Sequence, residues 1–261
     1  MQSDNITTSR SIQRQTGRTF HLATRLLPKR IRHPTYVMYA FFRVADEIVD
    51  QPDGPPPAVQ HERLEEFREM ALGNREPEDS EAGAVMAAFQ ELAAEHDIDD
   101  DEINVFIDAM EMDIAQARYE TFEDLREYMR GSAVAVGNMM TTVMGPDQEA
   151  EARPHASALA EAFQLSNFLR DVREDIHEYG RVYLPQETLE RHGVTEDQLA
   201  EGRVDEAFRT VMQEEIARTW WHWRRNGDPE ATFYAVSAVS ERRPSTASTE
   251  VASHGQPAWR G

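Results

Sequence analysis

QLSNFLRDVREDIHEYGRVYLP, residues 164–185, decides how the chain is read. Asn167, Asp171 and Asp175 recur every four residues, which lines them up on one face of a helix. Leu165, Phe168, Leu169, Val172 and Ile176 give the same segment an apolar side. A second acidic pair, Asp46 and Asp50 in YAFFRVADEIVD, has the same spacing on the apolar run 39–49. Carboxylates one helical turn apart stand roughly 5–6 Å apart at Cβ, close enough to share a hard cation or its waters.

Asp and Glu supply 48 of 261 residues, so one such pair arises often by chance and is usually a solvated face. Two pairs on apolar helices, each flanked by arginine (Arg43; Arg170 and Arg173), form a narrower pattern. With the GRVYLP run at 180–185, the two motifs resemble those of squalene and phytoene synthases. These head-to-head prenyltransferases carry one aspartate-rich motif early and a second ahead of Gly-Arg-x-Tyr-Leu-Pro. The resemblance spans residues 12–218 and is nearest the phytoene synthase branch.

That resemblance implies an all-α, class I isoprenoid synthase-like bundle around a central cavity. It implies Mg²⁺, with Mn²⁺ as a substitute, held by Asp46, Asp50, Asn167, Asp171 and Asp175. Tyr39 and Tyr128 join the aspartates as catalytic groups, with apolar and aromatic walls for an allylic cation. Gln164, Asn167, Arg170 and Arg43 are expected against the diphosphates. The segment TGRTFHLATRLLP (16–28) matches a flap that holds a diphosphate beside an aromatic ring, which brings in Arg18, Thr19 and Phe20. The small-residue stretch EYMRGSAVAVGNMMTTVMG (127–145) matches a channel for the prenyl chain, with Tyr128, Val134 and Gly137 facing it. On the residues alone, glycines inside a helix fit tight helix packing equally well.

The implied reaction joins two geranylgeranyl diphosphates into a cyclopropyl diphosphate and rearranges it to phytoene, without NADPH. A squalene-type synthase acting on farnesyl diphosphate with NADPH is the nearest alternative. A non-catalytic helical relative serving assembly is the alternative from another class. A di-iron bundle would want Glu-x-x-His pairs, and neither motif has one.

The bulk composition narrows the partners. Net charge is −21, with one lysine (Lys29) against 26 arginines. Such acidity keeps a chain soluble and suits high salt, although genome bias gives the same composition. Nucleic acid is not expected, because a phosphate backbone needs a basic face. Cysteine is absent, so disulfides are excluded. No apolar run approaches the roughly 20 residues that span a bilayer. A cytoplasmic protein with at most transient, apolar contact to a membrane surface is expected; oligomeric state is not legible.

Along the chain, helices are expected from Ile12, from Pro34 to Asp50, over 58–72, 81–95, 101–119, 155–178 and 203–218. DIDDDE (97–102) lacks the glycine and glutamate of an EF-hand loop and reads as a helix cap. The division expected is a disordered 1–11, a synthase domain at 12–225 and a low-order tail at 226–261. After Arg218 the resemblance is expected to fail, as if an internal block near Thr219 were missing.

Overall fold

The computed structural model describes the backbone of residues 3–16, 18–50 and 54–226, and the side chains of 7–15, 21–50 and 54–224. Among the described residues there are twelve α-helices, two π-helical turns and no strand beyond one isolated bridge. None of these helices is long and apolar enough to cross a membrane. The expected 226–261 tail lies, after Asn226, outside the described residues.

Helices α1 (Ser3–Thr16) and α2 (Arg18–Thr24) lead into α3 (Lys29–Val49). The first helix begins at Ser3 rather than near Ile12, and Ser9 and Gln13 are buried in it. Pro34 does not open α3; Pro28 caps it and Pro34 lies inside. Pro34 is the sixth residue of α3, past the free amides of the first turn, and so gives up the helical bond to the Arg30 carbonyl.

Then follow α4 (Pro57–Ala71), α5 (Glu81–His96) and α6 (Asp100–Ala115). Asp99 caps α6 by accepting from the Asp101 amide at 3.0 Å, as the acidic cluster implied. These helices wrap α3 through one aromatic core. Phe41 of α3 stacks on Phe89 of α5 at 3.6 Å between ring centres, with Phe67 of α4 at 5.0 Å and Phe106 of α6 at 5.7 Å. Aromatic pairs add about 0.5–1.5 kcal/mol each beyond area burial, so this cluster fixes the angle at which α3 is held.

Helix α7 (Phe122–Met129) opens on a capping box at Thr121 and Asp124 and runs through a π-helical turn, Arg130–Ala135, into α8 (Val136–Met144). The glycines here serve packing. A Cβ on Gly131 would lie 2.2 Å from the Val105 carbonyl oxygen and 2.5 Å from Ala109 Cβ, both on α6. A Cβ on Gly137 would lie 3.0 Å from Ala160 Cβ, on α9 (Glu149–Glu174).

Helix α9 continues through a second π-helical turn, Asp175–Tyr179, to Gly180, whose φ of +66° needs no Cβ. Helices α10 (Gln186–His192), α11 (Glu196–Ala200) and α12 (Glu206–Asn226) complete the described chain. Helix α12 runs on past the expected end at 218, packs on α9 and buries His222.

Candidate active site

Helix α3 presents Thr35, Tyr39, Phe42, Asp46 and Asp50 to one cavity of about 510 Å³. Asp50 is the C-cap of the helix, and its amide donates to the Asp46 carbonyl at 2.8 Å, which keeps the two carboxylates one turn apart. Helix α9 faces them with Gln164, Asn167, Arg170 and Asp171, and the π-helical turn adds Asp175. The two acidic pairs therefore open onto one space from different helices.

Tyr128, Ser132, Val136 and Met140 form another wall. They follow one another at four-residue spacing, a row legible once Tyr128 is taken as its first member. Val134 and Gly137 do not line this cavity: Val134 is buried and Gly137 is closed against α9. Arg43 also stands outside the lining and pairs with Glu47 at 3.2 Å. Arg170 reaches the cavity while gripping Asp171 with two bonds, at 2.7 and 2.5 Å. Arg18, Thr19 and Phe20 fall in α2, their side chains outside those described.

The floor of the site comes from residues 180–185. This run lies alongside 117–120: the Val182 amide donates to the Ala117 carbonyl at 2.9 Å and the Gln186 amide to the Tyr119 carbonyl at 2.9 Å. Val182 and Leu184 anchor it in a second apolar cluster with Leu189, Leu199 and Val211. Arg181 is thereby buried behind the acidic pair of α3. Its Nη1 donates to Asp50 Oδ1 at 2.7 Å and its Nη2 to the Asp113 carbonyl at 3.2 Å. Burial alone would lower the Arg181 guanidinium, but the charges of Asp113 and Asp50 hold it above its ordinary value.

The sequence reading missed Asp113, Tyr183 and the role of Arg181. Asp113 accepts from Tyr128 at 2.8 Å and from Tyr183 at 3.1 Å. Tyr183 stacks on Phe168 at 4.2 Å and stands 5.7 Å from the Tyr128 ring. The available signal was an acid beside the apolar stripe Ile103, Phe106, Ile107, Met110 of α6.

Five aspartates and two arginines line the cavity. Burial, then the Asp50 charge, pushes Asp46 up to about 7. Burial, then Asp171 and Glu174, pushes Asp175 up to about 7. The site is thus short of positive charge, and its donors are hard oxygens, which suit Mg²⁺ or Mn²⁺. Among the described residues no three Asp, Glu, His or Cys side chains form a group that could hold a metal by themselves. Mg²⁺ commonly keeps waters and takes one or two carboxylates plus substrate phosphates, so paired carboxylates fit it without a closed cage.

The squalene/phytoene synthase family profile matches residues 13–227. The chain is 34% identical over 220 residues to a 15-cis-phytoene synthase of Synechococcus elongatus, covering 80% of this chain and 70% of that protein. It is 34% identical over 207 residues to a chloroplastic phytoene synthase of Daucus carota, covering 77% of this chain and 51% of that one. The chain therefore spans about half the length of the plant relative. Its fold matches a dehydrosqualene synthase crystal structure with TM-score 0.73 at 23% identity, over 91% of this chain and 83% of that one. A squalene synthase of Alicyclobacillus acidocaldarius matches with TM-score 0.70 at 23% identity, over 91% of each chain. An isoprenoid synthase fold, two acidic pairs facing one cavity and a family match running through α12 lead to one conclusion: the chain belongs to the squalene/phytoene synthase family.

Proposed function

We propose that the protein joins two geranylgeranyl diphosphates head to head, through a cyclopropyl diphosphate, to phytoene, in an Mg²⁺-dependent reaction. The observation that carries this is the convergence of Asp46, Asp50, Asp171 and Asp175 on one cavity whose other walls are largely apolar and aromatic. The diphosphate end of a substrate is matched by the acidic end, and the prenyl chain by Phe42, Phe106, Met110, Val136 and Met140.

Asp46, Asp50, Asp171 and Asp175 would hold the metal, with Asn167 as a neutral oxygen ligand. Mg²⁺ bound there supplies the positive charge that stabilises a departing diphosphate. Arg181 fixes the first pair by its bond to Asp50, and Arg170 fixes the second by its grip on Asp171. Both are oriented before substrate arrives, which spares reorganisation during reaction. The neutral phenols and Phe168 give the cation ring faces and no strong nucleophile. Water excluded from such a site cannot capture the cation as an alcohol.

Product analysis tests this reading. Purified protein is given C20 or C15 prenyl diphosphate with Mg²⁺, with and without NADPH. Phytoene from the C20 substrate, unaffected by NADPH, is expected. A reduced C30 hydrocarbon formed only with NADPH would move the assignment to the squalene branch.

A further inference from the structure

Asp113 lines the same cavity but belongs to neither acidic pair. Its side chain is only 5% exposed. Tyr128 and Tyr183 both donate their hydroxyls to it, one to each carboxylate oxygen. Each phenolic hydrogen thus points at Asp113, and each hydroxyl oxygen keeps its lone pairs for other partners. Burial, and then the Asp113 charge, hold the Tyr128 phenol well above its ordinary value, so it stays neutral. Asp113 itself is raised to about 6 by burial, with Arg181 and the Tyr128 hydroxyl opposing, so above neutral pH it is a carboxylate able to take a proton. An ionised carboxylate in an aromatic wall is expensive to maintain, and bracing two tyrosines does not require one. A charge kept at that cost calls for a use.

We propose that Asp113 is the positioning residue and final proton acceptor behind the carbocations of this site, acting through the hydroxyl of Tyr128. The inference rests on the head-to-head synthase reading. Converting two C20 diphosphates to phytoene expels two diphosphates and two protons, so the site must take up a proton twice. In the first event a C–H bond two carbons from the cationic carbon breaks and its electron pair closes the cyclopropane. In the second a C–H bond next to the allylic cation breaks and its pair forms the central double bond. The proton passes to Tyr128 Oη while Tyr128's own proton passes to Asp113 Oδ2. Tyr128 ends unchanged and Asp113 ends as the neutral acid. A second cavity of about 280 Å³ borders Asp113, Arg181 and Tyr179 and is walled by Gln60 and Gln116. It gives Asp113 a polar side on which to return each proton to water, after the first event as well as after the second.

The test is the isosteric Asp113→Asn variant in the full chain, with geranylgeranyl diphosphate and Mg²⁺, scoring released diphosphate and hydrocarbon separately. Diphosphate release is expected to stay within about threefold of wild type, while hydrocarbon per diphosphate falls on the order of 100-fold, the scale of one lost acid–base group. The missing carbon appears as prenyl alcohol. Replacing water with D₂O shifts the hydrocarbon-to-alcohol ratio in wild type and not in the variant. Unchanged hydrocarbon per diphosphate in folded Asp113→Asn overturns the proposal. If that variant does not fold, the Tyr128→Phe/Tyr183→Phe pair keeps both rings and removes both links to Asp113. The same partition supports the relay, and a wild-type ratio overturns it. Wild-type protein that releases no diphosphate would instead overturn the synthase reading itself.

Discussion

Arg181→Ala is the substitution whose effect follows most directly from the geometry. The side chain of Arg181 is 9% exposed and that of its partner Asp50 is 25% exposed. Removing the guanidinium deletes the 2.7 Å charge-assisted bond to Asp50 and the bond to the Asp113 carbonyl, and strips Asp113 of a neighbouring cation at 3.9 Å. Breaking a buried ion pair costs about 3–5 kcal/mol, and the partial exposure of Asp50 puts this case near ~3 kcal/mol. At roughly 2–4 °C per kcal/mol for a chain of this size, the midpoint should fall by about 6–12 °C. Thermal unfolding by circular dichroism, in low and high salt, reads it. The loss should persist in salt, because a buried pair is little screened. It should also shrink at acidic pH. Asp113 is already raised above its unfolded value, and without Arg181 it rises further. Its unfavourable contribution therefore grows as pH rises through the folded value and is absent once the acid is protonated. Arg181→Lys keeps the charge but not the planar fork, so it should recover part of the loss. A drop below about 3 °C at every pH, roughly 1 kcal/mol, or a lysine variant no better than alanine, would refute the reasoning.

Two further outcomes can be checked on stability alone. Asp46 and Asp175 are raised to about 7 and Asp113 to about 6, against an ordinary 3.8. Raised carboxylates favour folding below their unfolded value and lose that contribution as pH climbs through 6–7, so the metal-free protein should melt higher at pH 5.5 than at pH 8. Mg²⁺ with inorganic diphosphate should narrow that difference, and equal melting curves at both pH values without metal would contradict it. Gly131→Ala places a methyl against the Val105 carbonyl and Ala109 and should cost about 1–3 kcal/mol in urea unfolding, whereas a neutral result would show that α6 yields there.

The all-α class and both acidic pairs were legible because each reduces to a four-residue period on an apolar helix, which needs no partner to be seen. Tyr39, Tyr128, Gln164, Asn167 and Arg170 also reach the cavity, and for these the motif resemblance was needed. Val134 and Gly137 stand off the cavity for a physical reason. A small residue in a helix announces a close neighbour but not its identity, and the neighbour of Gly137 is α9. The π-helical turn Arg130–Ala135 also alters the facing of this stretch, which a fixed 3.6-residue period does not anticipate. Asp113 and Arg181 escaped because their partners are distant in sequence: Arg181 binds Asp50, 131 positions away. The last helix was expected to end at 218, whereas α12 runs on to Asn226.

Metal-dependent release of diphosphate from geranylgeranyl diphosphate, in wild type and in Asp46→Asn and Asp171→Asn, tests the central claim most directly. If the two acidic pairs act together on one bound diphosphate, wild type releases it with Mg²⁺ and not with EDTA. Either single variant then loses on the order of 100-fold or more, the scale of removing one transition-state charge stabiliser. Release that is independent of metal, or that survives both substitutions in folded protein, would contradict the account.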